Sequence, residues 1–94
     1  MLKYLGDSGM PQHMFTITAH KNPLVMERLL QVVRYRGFTL HSVSMFPSDV
    51  EQEVNVQLSV ETDKSVENLK NQLLKIIDIK HITVEDRSRQ KIIA

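Results

Sequence analysis

The 94-residue sequence contains no cysteine. That absence excludes disulfides, thiolate metal sites and a cysteine nucleophile together. Long apolar runs are missing as well. None approaches the roughly 18–20 residues that cross a bilayer, and no secretory leader is visible, so a cytoplasmic protein without a membrane partner is expected. Charge of one sign is also absent: Lys+Arg 12 against Asp+Glu 11 leave a formal net charge of +1. Such a balance supplies no general attraction to nucleic acid or to an anionic membrane. What remains is the composition of a soluble globular chain, 41% hydrophobic and 24% charged. A chain of this length makes one small domain, burying only roughly 60–65% of the surface its unfolded form exposes, and a core that thin favours association.

The strongest local signal runs from Asn22 to Gly37. Asn22 is a helix-capping residue type, and Pro23 suits the first helical position, where its missing N–H costs nothing. Gly37 supplies the left-handed residue on which many helices end, directly after two cations that complement the helix C-terminus. Between them Val25, Met26, Leu29, Leu30, Val32 and Val33 recur at three- and four-residue spacing, which predicts an amphipathic helix.

Around that helix the chain alternates at period two. Residues 1–11 lack periodicity and are expected to form a loose leader that adds little to the fold. His13 to His20 reads as a first strand, with Phe15, Ile17 and Ala19 on one face. Phe38 to Phe46 reads as a second, closed by Pro47-Ser48-Asp49; Leu40 and Val43 share a face there only if a bulge intervenes. The third is the clearest, with Val54, Val56, Leu58 and Val60 against Glu53, Asn55, Gln57, Ser59 and Glu61. Thr62-Asp63-Lys64-Ser65 opens a second helix, with Asp63 as expected cap and Val66, Leu69, Leu73, Ile76 and Ile77 as its apolar stripe. Lys80 to Asp86 completes the set with Ile82 and Val84 inward, and residues 87–94 form a polar tail. The order β-α-β-β-α-β with right-handed crossovers is an α+β, ferredoxin-like domain over residues 12–86. Its four-stranded antiparallel sheet carries both helices on one face, with the first and third strands central.

Candidate chemistry is sparse. His13, His20, His41 and His81 have no ligand spacing, and the carboxylates and serines form no nucleophile–base pattern. An RNA-binding module of this topology needs aromatics on the open face of its third strand, where this chain offers Glu53, Asn55, Gln57, Ser59 and Glu61. An acylphosphatase-type cradle needs glycine after the first strand, and Lys21-Asn22-Pro23 has none. Arg34-Tyr35-Arg36 is the most basic patch, and helix-dipole complementation with solvation is the expected account of it. The start of the first helix, with its free N–H groups, is the one place where a carboxylate would naturally bind.

The run from Phe15 to Phe46, with NPLVMERLLQVVRYRGF and HSVSM at its centre, resembles the regulatory small subunits of acetolactate synthase, most nearly the short isozyme II type. SVENLKNQLLKIIDIKHITV is similar to the second helix and last strand of that family. The family fold is the ACT domain. The resemblance implies a cytoplasmic, non-catalytic subunit of branched-chain amino-acid biosynthesis. It would activate a large catalytic subunit that carries thiamine diphosphate, Mg2+ and FAD, with no cofactor and no metal on this chain. Feedback-regulated members bind valine at the strand 1–helix 1 loop, through an asparagine and a glycine there and an asparagine early in strand 2. The matching positions here are Lys21, Leu24 and Thr39, with Asn22 beside them, and all three depart from the pattern, so valine insensitivity is expected. A stand-alone ACT-type sensor of another small amino acid is the alternative. Leu40, Val43, Met45 and Phe46 make the second strand an apolar edge, which predicts a side-by-side homodimer through it.

Overall fold

In the computed structural model, which describes residues 11–86, six elements follow in the expected order. They are β1 (Gln12–His20), α1 (Val25–Tyr35), β2 (Thr39–Pro47), β3 (Glu53–Glu61), α2 (Val66–Leu74) and β4 (Ile79–Asp86). The strands form one sheet in the order β2-β3-β1-β4, with every adjacent pair antiparallel. The expected leader and tail lie outside the described residues, except Pro11. Its carbonyl accepts the Thr62 amide at 2.9 Å and ties the start of β1 to the end of β3.

The core follows from period two in the sheet and period four in the helices. Val54, Val56, Leu58 and Val60 of β3 stand opposite Ala19, Ile17, Phe15 and His13 of β1. Phe15, Ile17, Val56, Leu58 and Val60 are fully buried. Val25, Leu29 and Val33 descend from α1 at four-residue intervals, and Leu69 and Leu73 descend from α2. Burying one such side chain is worth about 1.5–3 kcal/mol, so the two helices are held chiefly by five residues. Met26, Leu30 and Val32 pack only at the margin of that core.

Both edge strands are bulged. In β2 the register passes from Leu40↔Val60 to Ser42↔Ser59, leaving His41 without an opposite residue. The bulge puts Leu40, Val43 and Met45 on the helix-facing side, opposite Val60, Leu58 and Val56, while Phe46 lies on the open side opposite Asn55. In β4, Lys80 is the extra residue between Ile79↔Ala19 and His81↔Thr18. Each bulged residue carries a basic side chain toward a glutamate at one end of β3. His41 Nε2 lies 3.7 Å from Glu61, and Lys80 Nζ pairs with Glu53.

Three local expectations need correction. Helix α1 begins at Val25, two residues after Pro23, because Asn22 closes a turn of its own. Its Oδ1 accepts the Leu24 amide at 2.8 Å and its carbonyl accepts Val25 at 3.0 Å, an Asx turn that competes with helical capping. At α2 the side-chain acceptor is Thr62, whose Oγ1 takes the Lys64 amide at 2.9 Å, rather than Asp63. Helix α2 stops at Leu74, and Ile77, 84% exposed, falls in the following turn instead of on the apolar stripe. The C-terminus of α1 does end on Gly37 (φ 80°), with Gly37 N bonded to Arg34 O at 3.0 Å and Phe38 N to Val33 O at 3.1 Å. That pair of bonds requires the left-handed residue between them.

Gly37→Ala should therefore destabilise the domain by about 1–2 kcal/mol, the cost of holding a Cβ in the left-handed region. The added Cβ would meet only the mobile end of Lys64, 3.1 Å away, so steric overlap contributes little. Urea unfolding should show a lower midpoint with an unchanged slope.

Candidate functional site

The short link between β1 and α1 is held from two sides. Lys21 N donates to the Gln52 carbonyl at 2.8 Å, tying the link to the β2–β3 hairpin. Gln52 adopts φ 69° to present that carbonyl. On the other side Asn22 Nδ2 donates to Asp78 Oδ2 at 2.9 Å, and Arg28 Nη1 reaches the same oxygen at 3.6 Å. The Asp78 carbonyl in turn accepts the His20 amide at 2.8 Å. One residue in the turn before β4 thus fixes three elements: its main-chain carbonyl holds the end of β1, and its carboxylate holds the link and the first turn of α1.

Between this link, α1 and the hairpin lies an open groove of about 540 Å³. Val25, Met26, Met45 and Val54 provide apolar walls, and Lys21, Asn22 and Gln52 provide the polar rim. Lys21 is exposed and has no ion-pair partner among the described residues. Asn22 has both ends of its amide engaged, by Leu24 N–H and by Asp78. The groove can hold a small molecule with an apolar body, and it contains no nucleophile beside a base.

The four positions singled out in the sequence do not converge within one chain. Lys21 and Asn22 line the groove. Leu24, 45% exposed, points outside its lining. Thr39 stands opposite Glu61, whereas the groove end of the sheet is marked by Glu53 opposite His20. Eight residues of β3 at about 3.3 Å each put Thr39 roughly 26 Å from the groove. Asp78, Gln52 and Met45 belong to the groove region without a signal that local spacing could show. The Asn22–Asp78 bond joins residues 56 apart, and Gln52 carries a positive φ at a position with no glycine or asparagine to announce it.

With that geometry in place, comparison with known proteins is informative. An ACT domain family model matches residues 21–82. The chain is 39% identical over 75 residues to the acetolactate synthase isozyme 2 small subunit of Escherichia coli K12, a match covering 80% of this chain and 86% of that subunit. The chain belongs to the ACT-domain family of acetolactate synthase small subunits. The Shigella flexneri isozyme 2 small subunit matches to the same extent. Among solved structures, an acetolactate synthase small subunit from Thermotoga maritima superposes with a TM-score of 0.71 at 23% identity, covering 78% of this chain and 46% of that one. The C-terminal domain of the MgtC protein from Mycobacterium tuberculosis superposes equally well, with a TM-score of 0.72 at 11% identity and coverage of 87% and 93%. At those identities the likeness is one of fold alone. Among the described residues no three His, Asp or Glu side chains cluster in a way that could hold a metal ion, and no helix is long and apolar enough to cross a membrane.

Asp78→Ala removes the acceptor shared by Asn22 and Arg28. With a half-buried amide left unpaired and the Arg28 pair partly screened by water, the expected loss is about 1–2 kcal/mol by urea unfolding. Hydrogen exchange should rise at the Leu24 and Val25 amides before it rises in β3.

Proposed function

We propose that this chain is a non-catalytic small subunit that binds and activates the large catalytic subunit of acetolactate synthase in the cytoplasm. The observation that carries the reading is the 39% identity to an isozyme 2 small subunit across 86% of that protein's length. The thiamine diphosphate, Mg2+ and FAD of the reaction belong to the large subunit in this reading. The contribution of the small subunit is conformational. It would bind one state of the catalytic subunit more tightly than another and shift the population toward it.

Valine insensitivity fits the groove. Lys21 can attract a carboxylate but cannot accept a bond from an ammonium group, and Asn22 is already engaged on both sides. Losing those two contacts, at about 1–1.5 kcal/mol each, weakens an amino acid by roughly thirtyfold to a hundredfold. A stand-alone amino-acid sensor would need this groove to accept that ammonium, which makes the subunit the better-supported reading. The decisive measurement mixes the full chain with the large subunit of its own organism and follows acetolactate formation. Activity should rise on mixing and stay unchanged at millimolar valine. No rise on mixing would remove the subunit reading, and inhibition by micromolar valine would remove the account of the groove.

A side-by-side homodimer through β2 also belongs to this proposal. Every residue of β2 except Val43 is exposed, so its outer backbone edge and the side chains of Leu40, Met45 and Phe46 are available to a second copy. Antiparallel pairing about a two-fold axis near Val43 would set Thr39 of the second copy beside Pro47, at the groove end of the sheet. Thr39 of the second copy would then approach the link that carries Lys21, Asn22 and Leu24, although it is far from that link within one chain. Leu40 and Phe46 are 37% and 40% exposed, so replacing both by glutamate should leave the monomer folded while abolishing the dimer. Light scattering at micromolar concentration should report a dimer for the parent chain and a monomer for the variant. A monomeric parent would overturn the pairing.

A further inference from the structure

A second groove lies at the opposite end of α1, and nothing in the effector-site account uses it. It has a volume of about 600 Å³ and is lined by Gln31, Val32, Arg34, Tyr35, Arg36 and Gln72. Val32 forms an apolar floor that packs against the core, while Gln31 from α1 and Gln72 from α2 contribute amides to the lining. Tyr35 is 85% exposed at its rim, with the Arg36 guanidinium 5.9 Å from the ring centroid. Lys64 adds a third cation at the same end, its Nζ donating to the Arg36 carbonyl at 3.4 Å and lying 5.5 Å from the Phe38 ring centroid.

The charge here is uncompensated. Arg28, His41 and Lys80 each face a carboxylate, whereas Arg34, Arg36 and Lys64 have no ion-pair partner among the described residues. Asp63 and Glu67, adjacent in sequence, do not pair with them either. Complementing the dipole of α1 accounts for Arg34 in its last turn and not for Arg36 beside an uncovered tyrosine or for Lys64 near Phe38. Tyrosine and arginine around an apolar floor, bordered by amides, is the composition of an interface centre, where a few such residues carry most of the binding energy. The site is also independent of the β2 edge. Leu40 lies on the other flank of α1, near Leu30, Val33 and Phe38; Arg34 borders both sides, and Tyr35, Arg36 and Gln72 line this groove and not that flank, so a dimer paired through β2 would leave it open.

We propose that the groove between the last turn of α1 and α2 is the docking site for an acidic segment on the surface of the large catalytic subunit. In that contact Tyr35 is the anchor, and Arg34 and Arg36 are the charge clamp. The assignment rests on the small-subunit reading. A chain with a net charge of only +1 concentrates three free cations here, which favours a local acidic patch over a polyanion that needs an extended basic surface. Charges at the rim of such a contact steer association and give it a salt dependence, while the central aromatic governs residence time.

The test titrates the full chain against the large catalytic subunit of its own organism, reading both direct binding and activation. Tyr35→Ser and the pair Arg34→Glu with Arg36→Glu should each weaken binding by at least roughly tenfold, with activation recovered at saturating small subunit for Tyr35→Ser. Lys70→Glu with Lys75→Glu, an equal charge change elsewhere on and beside α2, should leave binding within about twofold. Binding of the parent should weaken between about 0.1 and 1 M salt, as the Debye length falls from about 10 to 3 Å, and the double-arginine variant should lose most of that dependence. Circular dichroism and light scattering of the variants guard against misfolding. A variant that stays folded but loses its own dimer would reassign the groove to self-association and overturn the proposal. Tighter binding of the parent to random single-stranded RNA than to the large subunit at equal salt would overturn it in favour of nucleic acid. If the parent activates and every variant binds as it does, only the groove assignment falls. If the parent neither binds nor activates, the subunit reading falls with it.

Discussion

The structure depends on the burial of one face of β3. Val54, Val56, Leu58 and Val60 are all buried, and each stands between a β1 residue and a β2 residue in register. A one-residue slip would carry the whole ladder to the open face, opposite Met14, Thr16 and Thr18 in place of Phe15, Ile17 and Ala19. The cost of that slip fixes the register of β1, and β1 fixes β4 through Phe15↔Val84 and Ile17↔Ile82. The helices then have one apolar surface to cover, and five buried residues suffice to hold them there.

The two edges are treated alike. A regular β2 would turn either Leu40 or Val43 outward, and the extra residue at His41 lets both face the helices. A regular β4 would likewise separate Ile79 from Ile82, and Lys80 resolves that conflict. In each case the unpaired residue is basic and reaches a glutamate at an end of β3, so the bulge gains an electrostatic contact at the sheet's corner. The exposed member of the Lys80–Glu53 pair keeps that contact weak in energy, and its value lies in fixing where the bulge sits.

Much of this was legible in the residues because it is periodic. The alternation of β3, the four-residue spacing of Val25, Leu29 and Val33, and Gly37 after Tyr35-Arg36 each have one local structural solution, and together they gave the element order and the antiparallel sheet. The apolar conflict between Leu40 and Val43 even announced the bulge. What was not legible depends on partners distant in sequence. Asn22 has the residue type of a helix cap, and it closes an Asx turn through Oδ1 while Asp78, brought close by β4, takes its Nδ2. Ile77 fitted a helical stripe, but α2 had to end early to let Ile79 enter the sheet opposite Ala19. The effector-site positions were scattered by the same limitation. Loop and strand positions named together from a resemblance need not meet inside one chain, and Thr39 lies at the far end of β2 from Lys21.

Helix α1 connects the two grooves. Its first turn borders the one at Lys21 and its last turn forms the wall of the one at Tyr35, the two turns being the ends of one 11-residue helix about 16 Å long. A ligand that moved the first turn would therefore move Tyr35, Arg34 and Arg36 as a body, since Val25, Leu29 and Val33 give the helix a single packed arrangement on the sheet. Such coupling requires two states of α1 that a ligand can distinguish. In this chain the first turn is already tied by Asn22 and Arg28 to Asp78, a bond supplied by the protein itself. The tie favours one position of α1 whether or not the groove is filled. A small subunit built this way would hold the Tyr35 groove in one arrangement whether or not the Lys21 groove is filled, which is what the proposed valine-insensitive activator requires.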